Sequence, residues 1–137
     1  MKHLLIGTAI AALTAGLAHA ETWKMSADAP DGNYLTQNIR AFADDVARLS
    51  DGALEIDVVS NSVLLKRPEL KRGVQRGIVP IGEVLISALG NEDAVYSADA
   101  VPLLATTFDE ARALWEASRP IYEEKLAEDG LVLLFAA

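Results

Sequence analysis

Trp23, Met25 and Ala27 alternate with Lys24 and Ser26, which is the period of a β-strand over residues 22–27. Residues 28–33 (Asp-Ala-Pro-Asp-Gly-Asn) are dense in turn formers and read as a loop. Leu35, Ile39, Phe42, Val46 and Leu49 then recur at spacings of four and three, one stripe of an amphipathic helix. Arg40, Asp44, Asp45 and Arg48 fall mostly off that stripe, and Gly52 can form a left-handed cap after it. Leu54, Ile56 and Val58 alternate with Glu55 and Asp57, predicting a second strand. Pro68 suits the first turn of a second helix, with Leu70 and Val74 on one face and Gly77 at its end.

Residues 78–86 are mostly apolar, as expected of a third strand covered on both faces, although Pro80 donates no ladder hydrogen bond. Residues 90–100 read as a loop, and 101–104 as a short apolar segment. Thr107 with Glu110 forms a capping box for a helix carrying Ala111, Leu114 and Trp115. Pro120 is expected to start another helix, with Ile121, Tyr122 and Leu126, ended by Gly130. Leu131–Phe135 predicts a final apolar strand. Strands alternating with helices predict an α/β fold with a parallel sheet and right-handed crossovers. Ligands in such sheets sit beyond the carboxyl ends of the strands, here near residues 28–34 and 82–87.

The N-terminus stands apart from this pattern. A short basic start, an apolar run over residues 4–17 and Ala18-His19-Ala20 read as a secretory signal peptide over residues 1–20, cleaved after Ala20. A membrane anchor is the competing reading, but the run is shorter than the ~20 residues that span a bilayer. The chain of 137 residues fits one domain over 21–137. Both histidines, His3 and His19, leave with the peptide, and there is no cysteine. Ser-His-Asp and Cys-His catalysis and the common zinc sites are thereby excluded. An exported chain without cysteine fits a bacterial periplasm.

The net charge of −8 argues against a nucleic-acid partner. Lys66, Arg67, Lys71, Arg72 and Arg76 form the one basic stretch, read either as a solvated helix face or as a patch for an anionic partner. Asp28, Asp31 and Asn33 have the wrong spacing for a calcium loop and read as a turn and helix cap, so no metal and no cofactor is expected. Glu83 lies inside an apolar run. It either points into a wet cleft or sits past the end of the strand.

The ordered segments resemble a known family. They are Phe42-Ala43-x-x-Val46 running into Ser50-x-Gly52 and the Leu54-x-Ile56-x-Val58 strand, then Val74-Gln75-Arg76-Gly77-Ile78-Val79-x-Ile81-Gly82. Asp99-x-x-Pro102-Leu103-Leu104, Glu110-Ala111-x-x-Leu114-Trp115 and Leu126-x-x-x-Gly130-Leu131-x-Leu133-Leu134 follow. This set is similar to the periplasmic solute-binding proteins of tripartite ATP-independent (TRAP) transporters, the DctP-like family. Ser60–Leu65, Pro80 and Leu103 depart from the family's pattern in the pocket wall.

The resemblance implies the parallel-sheet first lobe of a type II periplasmic binding protein, with the second lobe missing and the chain truncated at the hinge strand. It implies capture of a small carboxylate-containing ligand and delivery to TRAP membrane permease subunits, with no enzymatic step. Asp28, Asn33, Tyr34 and Glu83 would contact the ligand's polar groups, while the arginine that anchors its carboxylate belongs to the second lobe. A fragment of this kind is expected to bind weakly alone. Its apolar strand Leu131–Phe135 would be an open edge that promotes association. A self-contained periplasmic interaction domain is the alternative.

Overall fold

The computed structural model describes residues 20–136. The signal-peptide segment falls, apart from Ala20, outside the described residues. Strand β1 (Glu21–Ser26) is central, with β2 (Leu54–Val59) on one side and β3 (Ile81–Gly82) on the other. Both neighbours run parallel to β1; Trp23 faces Ile56, Met25 faces Val58 and Ile81, and Ser26 faces Gly82.

Helix α1 (Tyr34–Leu49) crosses from β1 to β2. Asn33 caps it by accepting from the Leu35 N–H at 2.9 Å. Its Ile39 and Ala43 pack on Met25, Ala27, Val58 and Ile81, flanked by Trp23, Phe42 and Ile56. The predicted stripe therefore covers the sheet, except that Leu49, in the last turn, is 74% exposed. Asp51 and Gly52 turn the chain at positive φ, 51° and 76°.

Helix α2 (Leu70–Gln75) follows a 3-10 turn at Arg67–Glu69 and lies on the opposite face of the sheet. A Cβ added to Gly82 would sit 3.3 Å from Val74 and 3.7 Å from Leu70, so α2 uses the space that the glycine leaves. The β2-β1-β3 order requires this change of face. With right-handed crossovers, one connection moves away from β1 on one side and the next returns past it to the other.

Three expectations are corrected. The third strand does not span residues 78–86; only Ile81 and Gly82 pair with β1. Pro80 supplies no ladder N–H, and Ile78 is 62% exposed rather than covered on both faces. Pro120 does not begin a new helix. Helix α3 runs unbroken over Phe108–Glu128 with Pro120 inside it. An interior proline costs about 3 kcal/mol in an isolated helix. Here Trp115 and Tyr122, on either side of it, lie 6.1 Å apart and share one cluster.

Leu131–Phe135 is the third correction: it forms no strand ladder with any described residue. Its alternation survives, with Leu131 and Leu133 packed inward and Val132 and Leu134 exposed. Phe135 closes on Phe42 of α1 with ring centroids 4.9 Å apart.

A second core gathers Leu89, Tyr96, Tyr122 and Leu126, with Val84, Ile86, Val95 and Trp115 around them. It joins α3 to two 3-10 segments, Ile86–Leu89 and Ala94–Ala100, the second within what the sequence presents as a loop. The expected capping box is present: Thr107 Oγ1 accepts from Glu110 N–H, and Glu110 Oε2 accepts from Thr107 N–H at 3.0 Å.

Candidate functional site

The carboxyl ends of the three strands meet in one polar junction. Beyond β1 and β2 the chain keeps pairing: Ala27 N–H donates to Val59 O, Asn61 N–H to Ala29 O and Ser62 N–H to Ala27 O. The turn that permits this places Asn61 and Ser62 at positive φ, 60° and 53°. Asparagine tolerates that region; serine holds it at a local cost. The reward is position. Ser62 Oγ donates to Asp28 Oδ1 at 2.6 Å.

Arg67, in the 3-10 turn before α2, approaches Asp28 from the other side. Its Nε donates to Asp28 Oδ2 at 2.7 Å, and a terminal guanidinium nitrogen bonds the same oxygen. The Arg67 hydrogen bonds and then the Ser62 hydroxyl hold the Asp28 carboxyl below the usual aspartate range, against a smaller opposing effect of burial. Asp28 is thus an ionised, engaged group rather than a free one.

Asp28 still contributes through its backbone. Its N–H donates to Glu83 Oε2 at 3.2 Å, and Glu83 N–H donates to Ser26 O at 3.0 Å. The carboxyl group of Glu83 therefore stands just past the end of β3, half-buried, with one oxygen held. Among the described residues its other oxygen has no hydrogen-bond partner, so it can accept from a ligand N–H or O–H.

The structure brings Asp28 and Glu83 together. It does not bring Asn33 and Tyr34 to them. Asn33 is occupied as the cap of α1, and Tyr34, the first residue of that helix, is 71% exposed without a side-chain hydrogen bond. Asp31 pairs with Arg40 at 2.5 Å and accepts from Ser60 Oγ at 2.8 Å, so the two loop aspartates face different arginines rather than one shared ion. Sequence reasoning missed Ser62 and Arg67. The available signal was Arg67 immediately before Pro68, where a 3-10 turn aims the side chain back toward the strand ends.

Among the described residues, hydrogen-bonding capacity is left open at this junction on the second carboxylate oxygen of Glu83. The Ser62 hydroxyl donates to Asp28, but Arg67 holds that carboxylate's pKa down, which makes it a weak base.

No family model matches the sequence, and no curated protein matches it. Solved structures do. The chain is 58% identical to DctP7, a Bordetella pertussis extracytoplasmic solute receptor binding pyroglutamic acid, over 85% of this chain and 38% of that one, with a TM-score of 0.82. It is 40% identical to DctP6 of the same organism, a receptor that also binds pyroglutamic acid, over 83% of this chain and 38% of that one, with a TM-score of 0.82. A marine metagenome TRAP solute-binding protein from an unidentified microbe, specific for pyroglutamate, is 34% identical over 85% of this chain and 38% of that one, again with a TM-score of 0.82. The chain spans 38% of the length of each of these relatives and matches one of their lobes.

Proposed function

The chain belongs to the family of TRAP extracytoplasmic solute receptors, and from that premise we propose that it forms the first lobe of a receptor for pyroglutamate or a close small-acid analogue. Receptors of this kind bind and release; they are not enzymes. The observation that carries the ligand-binding role is Glu83 at the end of β3. One of its oxygens is fixed by the Asp28 N–H and the other is open. Pyroglutamate is a lactam with a carboxylate. Its ring N–H is a donor that such an oxygen accepts, while its carboxylate needs a cation elsewhere.

In this reading Asp28 serves through its backbone, Arg67 keeps the Asp28 side chain neutralised beside an anionic ligand, and Asn33 holds the start of α1 while Tyr34 stands apart from the junction. The segment 1–20 exports the chain to the periplasm, and the loaded receptor delivers its ligand to TRAP membrane permease subunits. Closure needs contacts from both lobes, so this lobe alone grips the ligand too weakly to retain it.

The test is calorimetry on a receptor in which this chain replaces the corresponding part of DctP7. Pyroglutamate is expected to bind with a Kd in the micromolar range or tighter, roughly −8 kcal/mol or better. Glu83→Gln removes a charge-assisted acceptor and is expected to weaken binding about tenfold. The isolated chain should give no measurable heat. Failure of pyroglutamate and of every small acid on a panel would overturn the reading. Unchanged affinity in Glu83→Gln would remove Glu83 from it.

A further inference from the structure

The basic stretch is only partly absorbed by the site. Arg67 goes to Asp28, and Lys71 is buried against Glu92 and Asp129. Lys66 Nζ donates to the Ser62 carbonyl at 3.2 Å, which leaves Arg72 and Arg76. Both are exposed, and among the described residues neither makes an ion pair or a side-chain hydrogen bond. On the other helices Arg40, Arg48 and Arg119 each find a carboxylate, and among the described residues Arg112 of α3 is the other helical arginine without one.

Arg72 lies in α2 and Arg76, four residues on, is its C-cap, so the two stand about 6 Å apart along the helix axis, lining one groove. Between them and the preceding turn runs an open groove of about 440 Å³. Leu65, Pro68 and Ile78 give it apolar walls, and Ile78 is 62% exposed there. The remaining charge on its rim is Glu69, whose Oε2 already accepts from the Lys66 N–H at 3.2 Å.

The groove is built firmly. Gly73 forms part of its wall, and Leu65 lies so close over it that any side chain at 73 would displace Leu65. Lys71 fastens α2 from below through its two carboxylates. Favourable placement of Arg76 at the carboxyl end of its own helix accounts for one cation. It does not account for an exposed isoleucine and a groove beside two unpaired arginines.

We propose that this α2 groove docks an acidic amphipathic helical segment of a protein partner. Two carboxylates spaced by four residues would pair with Arg72 and Arg76, and an apolar side chain between them would enter against Leu65, Pro68 and Ile78. Charge complementarity supplies steering, and the apolar contact supplies residence. The inference is independent of the ligand proposed above, since it uses a different face.

The test uses the secreted chain, Glu21–Ala137, labelled for amide NMR. The probe is a synthetic helical peptide with glutamates four residues apart and leucine between them. Resonance shifts are expected to concentrate at Leu65, Arg72, Arg76 and Ile78. Arg72→Gln with Arg76→Gln is expected to weaken binding at least about tenfold. Ile78→Ser should weaken it separately, and Arg112→Gln should leave it unchanged. Equal binding of a peptide with glutamine for glutamate would overturn the proposal. So would unchanged binding in the double variant, shifts produced only by anionic phosphatidylglycerol vesicles, or the same shifts arising from self-association without peptide.

Discussion

Leu70→Ala is expected to lower stability by about 3 kcal/mol, read as a fall in the urea midpoint with an unchanged slope. Leu70 is fully buried, with 0% exposure. It opens α2 and reaches the bare face of Gly82, so it is the plug between that helix and β3. The site of the loss matters as much as its size. Only two residues of β3 pair with β1, so few ladder bonds hold the strand if the helix above it loosens. Truncation to alanine leaves a void that a six-residue helix can close only by sliding. Leu70→Met keeps the volume and should recover most of the stability. A loss below about 1 kcal/mol in Leu70→Ala would show that α2 does not clamp β3 in this way.

Lys71→Ala should follow, at about 2–3 kcal/mol. The lysine side chain is 6% exposed, and its Nζ lies 2.6 Å from Asp129 Oδ2, bonds Glu92, and sits 5.9 Å from the centre of the Tyr96 ring. It joins α2 to the 3-10 region and to the end of α3. Removing it leaves two carboxylates facing each other without a cation. They are 34% and 40% exposed, so water tempers the cost to below the roughly 3–5 kcal/mol of a fully buried pair. Lys71→Met keeps the apolar stem over Tyr96 and should cost less.

The pH dependence separates charge from packing at this position. Burial by itself would lower the Lys71 pKa, but the hydrogen bonds Lys71 donates to Asp129 and Glu92 outweigh it and raise the pKa above the ordinary lysine value. The contribution is therefore complete below the unfolded pKa, about 10.4, and is lost as pH rises through the higher folded value. Chemical denaturation across that window should show the parent chain losing stability relative to Lys71→Met. Parallel curves would mean that the ion trio contributes no charge-dependent stability.

What the sequence reveals follows the range of the forces involved. The α1 stripe, the β1 and β2 alternation and the Thr107–Glu110 cap are local, written in spacings of two, three and four residues. The parallel sheet follows from the order of those pieces. Strand β3 is shorter than its apolar run because the chain was apolar there for two reasons: two residues join the ladder, and Val84 and Ile86 serve the second core instead. Pro120 misleads because tertiary packing around Trp115 and Tyr122 carries a proline that propensity alone would place at a helix start.

The site divides in the same way. Glu83 is visible because a carboxyl group inside an apolar run needs an explanation. The position of Arg67 before Pro68 is legible, but its pairing with Asp28 is not, because the two lie 39 residues apart and the turn at Asn61 and Ser62 intervenes. Asn33 reads as a polar loop residue whether it caps a helix or meets a ligand, and the hydrogen bond to Leu35 assigns it to the cap.

Pro120 has a further consequence, for the way α3 opens. A proline carries no amide hydrogen, so the turn around Glu116 is fastened by one bond fewer than its neighbours. The helix is continuous in shape but is expected to be divided in amide-exchange protection. Its first half begins at Phe108, 94% exposed, and rests on the core mainly through Trp115. Its second half is pinned by Tyr122 and Leu126 and ends at the carboxylate that holds Lys71. Fraying that begins at Phe108 meets a ready-made boundary at the proline. The half beyond it opens with the Tyr96–Tyr122 core rather than with the rest of its own helix.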